Sequence, residues 1–466
     1  MLPLLTGRRR RRDDGHPPRF VARCPVAGGM GVRRRRRRMA GAFAQGEAMS
    51  RITVIGLDGG LLGAEAREHL EYAALVAGGE RHLRELGIEP GRSTVLKGDL
   101  SDAMQKIENT EGPVAVLASG DPGFFGIVRL LGARFGAEEL RILPAVSSVA
   151  HAFARAGLSW DDAVVVSAHG RDPRQAVNVC RAHPKAAVLT SPGFGPAELA
   201  AELEGWNRSF VVAEGLGGPD ERVFRGGAAE IVDRTWGDPN VVLVLDEMRM
   251  PKVKGWISSG IESPRRWALP VADFEHRSGM ITKSEVRAQI LARLGPGPGD
   301  LVWDVGAGSG SVAIECARLG AAAIAAERDP ESCARIRWNA VRHGVSVRVV
   351  EGEAPGALRD LPSPDAAFVG GTGGMFEEIV KLCAARTLRS VVLTLVGLER
   401  VVPAGEILEN CGLEVETICL QASRMEGVGS LHRLVPESPV FIVVGRGQEH
   451  PTKSVPTLPK RASTPI

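Results

Sequence analysis

Between about residue 51 and residue 446, short apolar runs alternate with segments whose apolar residues recur every three or four positions. Polar, glycine-rich turns separate the two kinds of segment. Apolar runs of four to eight residues read as buried strands, and the spaced segments as amphipathic helices. In the first half, strands are expected in ITVIGL (52–57), VAVLAS (114–119), RILPAVSSVAHAFARAG (141–157, a strand running into a helix), AVVVSAHGR (163–171), AAVLTSPGFG (186–195), SFVVAEGLG (209–217) and VVLVLDE (241–247). Leu61 to Val76 has helical spacing. In the second half, strands are expected in LVWDV (301–305), AAIAAE (322–327), VRVVEGEAP (347–355), PDAAFVGG (364–371), SVVLTLV (390–396), LEVETICL (413–420) and PVFIVVG (439–445). Helices are expected at ESCARIRWNAVRHG (331–344), around Val401–Cys411, and in a segment near 282–294 that Thr282 or Ser284 can cap. Strands alternating with helices predict an α/β fold.

The same pattern divides the chain. Residues 1–48 have no apolar period and carry like-charge blocks at Arg8–Arg12 and Arg33–Arg38, which repel one another and stay solvated. They read as a disordered extension ahead of a start near Met49, which stands two residues before a clean strand, rather than as a nucleic-acid or membrane arm; no apolar stretch follows either block, as an export signal would need. A first domain is expected at 51–250 and a proline-containing linker at 251–275. A second domain is expected at 276–446, and a disordered Pro/Ser/Thr/Lys-rich tail follows from 447.

Charge changes the picture once it is partitioned. Thirteen arginines against three acids give residues 1–48 a net +10, which leaves −7 for the remainder of a chain whose total is +3. The folded part is mildly acidic and makes no electrostatic case for nucleic acid. One tyrosine in the whole chain argues against an aromatic nucleic-acid platform. The seven cysteines are scattered, odd in number and free of any C-x-x-C pair, which suits a reducing cytoplasm better than a disulfide framework or a metal site. No apolar run reaches the roughly 18 residues that span a membrane.

The densest chemistry is in LVWDVGAGSG (301–310). An apolar run carrying Asp304 breaks into Gly306, Gly308 and Gly310, and a helical pattern follows directly. Glycines allow a tight turn and close approach of a ligand, and the first helix amides then point into the crevice at the strand's carboxyl end. The spacing G-x-G-x-G is not the dinucleotide fingerprint G-x-G-x-x-G, whose last glycine would fall on Ser311. A turn that binds nothing and a dinucleotide site are the alternatives. D-x-G-x-G-x-G resembles motif I of the class I S-adenosylmethionine (SAM) methyltransferases. Glu327, ending the next apolar run, is placed to take ribose hydroxyls.

Two further resemblances cover 51–446. ITVIGLDGG, LASGDPGFFG, PAVSSVAHAFARAGLSW and VSAHGR, in that order, resemble the tetrapyrrole (class III) methylases, which hold SAM in a cleft between two α/β lobes. The resemblance implies that Gly120, Asp121, Pro122, Gly123 and Phe124 form the cofactor turn, with Ser147 and Ser148 beside it. The first loop departs from the family's pattern by lacking its proline. GMITKSEVRA, WDVGAGSGSVAIE, GEAPGAL and PDAAFVGG resemble the decarboxylating class I methyltransferases of corrin synthesis. The implied architecture is a two-lobed tetrapyrrole methylase domain followed by a Rossmann-like class I domain. The implied cofactor is SAM at two sites, and no metal. In the second site Gly306, Ala307, Gly308, Ser309 and Gly310 would wrap the cofactor's amino-acid half. Asp304 would order the loop or hold the ammonium, Glu353 and Ala354 would flank adenine, and Thr282 would close over it.

The implied reaction is C-methylation of a precorrin at two meso carbons with loss of CO2 from the ring C acetate. A soluble, cytoplasmic homo-oligomer acting on a tetrapyrrole, without nucleic-acid or membrane partners, is expected. A cobalt-containing substrate, an RNA or protein methyltransferase and a SAM-binding sensor are the competing readings. Methyl transfer needs alignment and exclusion of water rather than a nucleophilic triad, and none is evident. A substrate rich in carboxylates needs cations. The candidates are Arg129, Arg155, His169 and Arg171 in the first domain, and Lys283, Arg287, Arg424, His432 and Arg433 in the second. The glycines Gly370, Gly371, Gly373 and Gly374 would let a bulky flat substrate approach.

Overall fold

The computed structural model describes residues 50–169, 172–250, 264, 266–277 and 281–447. The expected extension, most of the linker and the tail beyond Gly447 lie outside the described residues. The fold is α/β, built on three large sheets and one two-stranded sheet among the described residues.

The first sheet comes from β1 (Ile52–Leu57), α1 (Ala64–Tyr72), β2 (Leu75–Gly78), α2 (Glu80–Glu85), β3 (Ser93–Val95), α3 (Ser101–Glu108), β4 (Val114–Ser119), α4 (Val128–Phe135), β5 (Leu140–Leu143) and α5 (Ser148–Ala156). Its order is β3-β2-β4-β1-β5 and every pairing is parallel. One expectation fails here. The helical spacing of Leu61–Val76 covers a helix that ends at Tyr72 and a strand that begins at Leu75. Leu75, Val76 and Ala77 are buried, and a three-residue apolar run continues a helical period as well as it starts a strand.

The second sheet comes from β6 (Val164–Ser167), α6 (Arg174–Ala182), β7 (Lys185–Leu189), α7 (Pro196–Glu202), β8 (Ser209–Glu214), β9 (Arg222–Gly227), α8 (Ala228–Val232) and β10 (Asn240–Leu245). The order β6-β7-β10-β8-β9 mixes parallel and antiparallel pairs. The two sheets meet where the loop after β1 touches the loop after β8: a Cβ at Gly59 would collide with backbone of Gly217.

The third unit contains α9 (Ser284–Leu294), β11 (Leu301–Val305), α10 (Ser311–Arg318), β12 (Ala322–Glu327), α11 (Pro330–Arg342), β13 (Arg348–Glu351), β14 (Ala366–Val369), α12 (Phe376–Arg386), β15 (Ser390–Leu395), α13 (Val401–Asn410), β16 (Glu414–Leu420), β17 (Ser423–Val428), β18 (Leu431–Pro436) and β19 (Val440–Arg446). Seven strands form one sheet, β13-β12-β11-β14-β15-β19-β16, and β17–β18 is a separate hairpin that the periodicity did not mark. Residues on the hairpin are almost all exposed, so no buried alternation announces it. The expected strand at 347–355 stops at Glu351. Neither Thr282 nor Ser284 caps α9; the cap position is Lys283, with no side-chain hydrogen bond. Apolar residues fill both faces of this sheet, Trp303 and Val305 on one side, Val302 and Phe368 on the other. Such two-sided burial explains why the parallel strands read as unbroken apolar runs. Among the described residues no helix is long and apolar enough to cross a membrane.

Candidate functional site

Strand β11 lies centrally, between β12 and β14, and its carboxyl end opens into the glycine turn. Gly306 (φ +67°), Gly308 (φ +55°) and Gly310 (φ +73°) all sit in the left-handed region that side chains disfavour. Their reasons differ. At Gly306 a Cβ would collide with the carbonyl of Gly371, so the turns after β11 and β14 can close on each other only without a side chain. At Gly310 a Cβ would press on Ile336 of α11. At Gly308 a Cβ would meet nothing within 4 Å, because this glycine faces open space.

That space is a cavity of about 850 Å³. Gly306, Ala307, Gly308 and Ser309 line it, with Thr282, Lys283, Glu327, Glu353, Ala354 and Gly371, all expected site residues. A smaller pocket of about 360 Å³ adjoins it and shares Gly370, Gly371, Thr372, Thr394 and Val396. Val396, exposed and apolar, lines this extension, and the exposed apolar residues Met375, Leu398 and Val402 lie within three positions of its lining residues in the chain.

Glu327 holds the turn in shape. One carboxylate oxygen accepts from the Gly308 amide at 2.8 Å, and the other accepts from the amides of Arg328 and Asp329 at 2.9 and 3.0 Å. Behind the turn, fully buried Asn339 donates to the carbonyls of Ser309 (3.0 Å) and Glu275 (2.9 Å) and accepts from the Glu275 amide (2.8 Å). It thereby ties the segment ahead of α9 to the glycine turn. Periodicity did not single out Asn339, since a lone buried amide looks like any polar residue on a helix.

Asp304 does not line the cavity. It is buried beneath the turn, where one oxygen accepts from the Ala313 amide in the first turn of α10 at 2.9 Å and the other has no partner. Burial, with a smaller push from Glu327, raises its carboxyl to about 7. The fold therefore favours the neutral acid. A raised carboxyl costs nothing below its unfolded value near 4, costs progressively more as pH climbs to about 7, and is constant above that. Asp304→Asn should therefore gain in Tm on the wild type as pH is raised from 4.5 to 7.5, by a free-energy difference of at most about 4 kcal/mol. A Tm difference independent of pH would show that Asp304 is ionised throughout.

The expected cations separate into two groups. Lys283 lines the cavity, as do Arg277 and Arg328, which sequence reasoning missed. Arg400, also missed, lines the smaller pocket and donates to Thr372 Oγ1 at 3.1 Å. Arg287 is a correction: its side chain is completely buried and its donors are committed to Glu315 and to the carbonyls of Thr282 and Leu269. Arg424 and Arg433 sit on the β17–β18 hairpin and do not line the cavity. Arg424 pairs with Glu285 and Glu437, and Arg433 with Glu426. His432 is on the same hairpin.

The first half carries a second cradle. The turn after β4 begins at Gly120 (φ +62°), whose Cβ would lie 3.2 Å from Ser147 Cα and from the Ser148 amide, so the two predicted blocks meet. Within the turn, Asp121 accepts from the Gly123 amide at 2.8 Å. Ser147 caps α5 by accepting from Ala150 at 3.1 Å. Pro122 is buried, and Phe124 packs partly against the core of the second sheet. Phe125 is half exposed at φ +53°, a conformation rare for an aromatic residue. Leu61 and Val146, in the loops after β1 and β5, are exposed beside it in the fold's order, so three carboxyl-edge loops each present an apolar side chain. Arg155 is paired with Glu221, and His169 is exposed. Arg171 lies outside the described residues. Among the described residues no group of His, Cys, Asp and Glu could hold a metal ion.

The family described as tetrapyrrole (corrin/porphyrin) methylases matches residues 52–232, and the family described as precorrin methyltransferase domain matches residues 272–445. A precorrin-6Y C(5,15)-methyltransferase [decarboxylating] from a Sinorhizobium species is 42% identical over 352 residues, 73% of this chain and 82% of that one. A protein of the same name from Mycobacterium tuberculosis is 36% identical over 325 residues, 68% of this chain and 79% of that one. A cobalt-precorrin-7 C(5)-methyltransferase from Salmonella typhimurium is 34% identical over 205 residues, 42% of this chain and 99% of that one.

Proposed function

The chain belongs to the family of decarboxylating precorrin-6Y C(5,15)-methyltransferases, and from that membership we propose how the work is divided between its halves. The protein is a SAM-dependent methyltransferase of cobalamin biosynthesis that methylates a precorrin and decarboxylates it. Residues 51–250 form one catalytic domain and methylate C5. Residues 276–446 form the other, methylate C15 and release CO2 from the ring C acetate. Each domain holds its own SAM. The observation that carries this division is the presence of two unrelated strand–turn–helix cradles on one chain, at Gly120–Phe124 and at Gly306–Gly310. The Salmonella relative supports it: nearly all of that shorter protein, named for C5 alone, aligns with less than half of this chain.

In the second site SAM supplies an electrophilic methyl on a sulfonium. The backbone of Gly306–Ser309 and the carboxylate of Glu327 hold it, Glu353 and Ala354 border its base, and Thr282 covers it. The open space at Gly308 and a cavity of about 850 Å³ fit such a ligand with room for part of a second. Arg277, Lys283, Arg328 and Arg400 surround the mouth and hold substrate carboxylates, while Met375, Val396, Leu398 and Val402 meet the flat ring. Positioning supplies most of the acceleration, since the ring carbon is already nucleophilic. When the acetate's C–C bond breaks, CO2 leaves, the electron pair enters the conjugated ring, and a proton then completes the methyl group. In the first site the turn at Gly120–Phe124 with Ser147 and Ser148 holds SAM, and exposed His169 faces substrate.

A homo-oligomer in the cytoplasm completes the reading. It is supported by an exposed apolar row on the β17–β18 hairpin (Met425, Val428, Leu431 and Leu434) and by six free cysteines among the described residues. The test of the whole is mass spectrometry of a precorrin incubated with the protein and SAM. The expected product has gained two methyl groups and lost CO2. Tight SAM binding with no change in substrate mass would refute the assignment.

A further inference from the structure

The two halves are docked through a defined face. Arg174, at the start of α6, makes two 2.7 Å hydrogen bonds to the carboxylate of Asp365. Asp365 also accepts from the Leu301 amide at 2.8 Å. Buried Asn178, one helical turn on, donates to the Gly299 carbonyl at 3.0 Å. Trp206, following α7, is 3% exposed and packs into the core that contains Leu301 and Trp303. A Cβ at Gly205 would touch the guanidinium of Arg348.

The hydrogen-bonding partners on the second side, and Arg348, lie at one edge of its sheet. Gly299 precedes β11, Asp365 precedes β14, and Arg348 opens β13. Strands β11 to β14 are all parallel, so these positions define the amino edge. The cavity is at the carboxyl edge, just past Val305, Glu327, Glu351 and Val369. A five-residue strand puts the two edges about 16 Å apart, at roughly 3.3 Å per residue. The intervening space is filled by buried side chains, Trp303 among them. The first half's cradle does not face the interface either, because Leu61, Phe125 and Val146 at its rim are exposed.

We infer that the once-processed tetrapyrrole leaves the protein between the two reactions and reaches the second site through solvent. The docked face covers the amino edge of the second sheet, and neither the residues that line the cavity nor the exposed Leu61, Phe125 and Val146 belong to it. The interface serves to fuse two catalysts at fixed stoichiometry, with no passage between them. This inference rests on the assignment of one set of reactions to each half.

Two variants test it, each purified separately as the full chain. Gly308→Arg closes the second cavity; Asp121→Ala with Pro122→Ala dismantles the first turn. Each is first assayed alone, on the starting precorrin and on the once-processed compound, where it should retain the other half's reaction on one of the two. A variant that stays folded yet acts on neither would refute the division of labour itself. Mixed together, the two should carry substrate through to the doubly methylated, decarboxylated product. The rate should rise in proportion to the concentration of the second-acting protein, as a diffusing intermediate requires. A mixture that stalls at the once-processed compound would overturn release into solvent. So would completion only when the two are co-expressed in mixed oligomers, since transfer would then occur inside an assembly.

Discussion

Gly308→Arg is expected to abolish decarboxylation and one methylation, by at least ~100-fold, while the remaining methylation proceeds at close to the wild-type rate. The magnitude follows from position. A side chain at 308 meets no protein atom and grows into the cavity, so it displaces ligand rather than structure. Placing a non-glycine residue at φ +55° costs roughly 1–2 kcal/mol, which a folded domain tolerates. Loss of the cofactor's seat removes the positioning on which the displacement depends, and an added guanidinium repels a cationic sulfonium. Gly306 is unsuited to the same test, since a side chain there would strike the Gly371 carbonyl and disturb two turns at once. The reciprocal change, Asp121→Ala with Pro122→Ala, is expected to spare decarboxylation and remove the other methylation. It deletes the acceptor for the Gly123 amide and a buried ring that stiffens the turn. Product masses report both outcomes, with circular dichroism confirming that the proteins are folded. If either change silenced both halves in folded protein, with the starting precorrin and the once-processed compound each supplied, the two cradles would not be independent sites.

Which parts of this arrangement were legible beforehand follows from what periodicity can carry. Parallel strands buried on both faces announce themselves as apolar runs, so β1, β4, β11, β12 and β15 were all readable. The glycine turn was readable because left-handed backbone leaves a residue-type signature, and Gly306, Gly308 and Gly310 all have φ near +60°. Edge strand β3 and hairpin β17–β18 are too exposed to leave an apolar pattern. The cations were the least legible. Arg287, Arg328 and Arg424 are one letter in the sequence, yet the fold buries the first, lines the cavity with the second and places the third on a hairpin. Only tertiary placement distinguishes them, so a list of basic residues near a motif mixes binding groups with structural ones. Asp304 shows the same limit on a finer scale: its spacing from the glycines marks a site, but its carboxyl group serves the helix behind the turn.

Arg287 is where that distinction has the largest consequence for stability. Glu315→Ala is expected to destabilise the second half by about 3–5 kcal/mol, the cost of stranding a buried charge. The effect should exceed that of Arg287→Met. The reason is an asymmetry in the network. Glu315 and Arg287 are both fully buried, 3.1 Å apart. Glu315 accepts as well from the amides of Leu269 (2.6 Å) and Ala268 (3.2 Å) and from Arg318 (3.2 Å). Removing it leaves two amides and a buried guanidinium without their acceptor. Removing Arg287 leaves Glu315 with three donors, and methionine fills much of the vacated space beside Phe274. Arg287→Met should still raise the KM for SAM. It frees the Thr282 carbonyl, held at 2.6 Å, and with it a residue that lines the cavity. The KM for the tetrapyrrole in the first half's reaction should not move. Thermal unfolding of both variants, with SAM titrations of each, reads the two effects separately. Equal destabilisation of less than about 1 kcal/mol would mean that the pair is not desolvated as its burial implies.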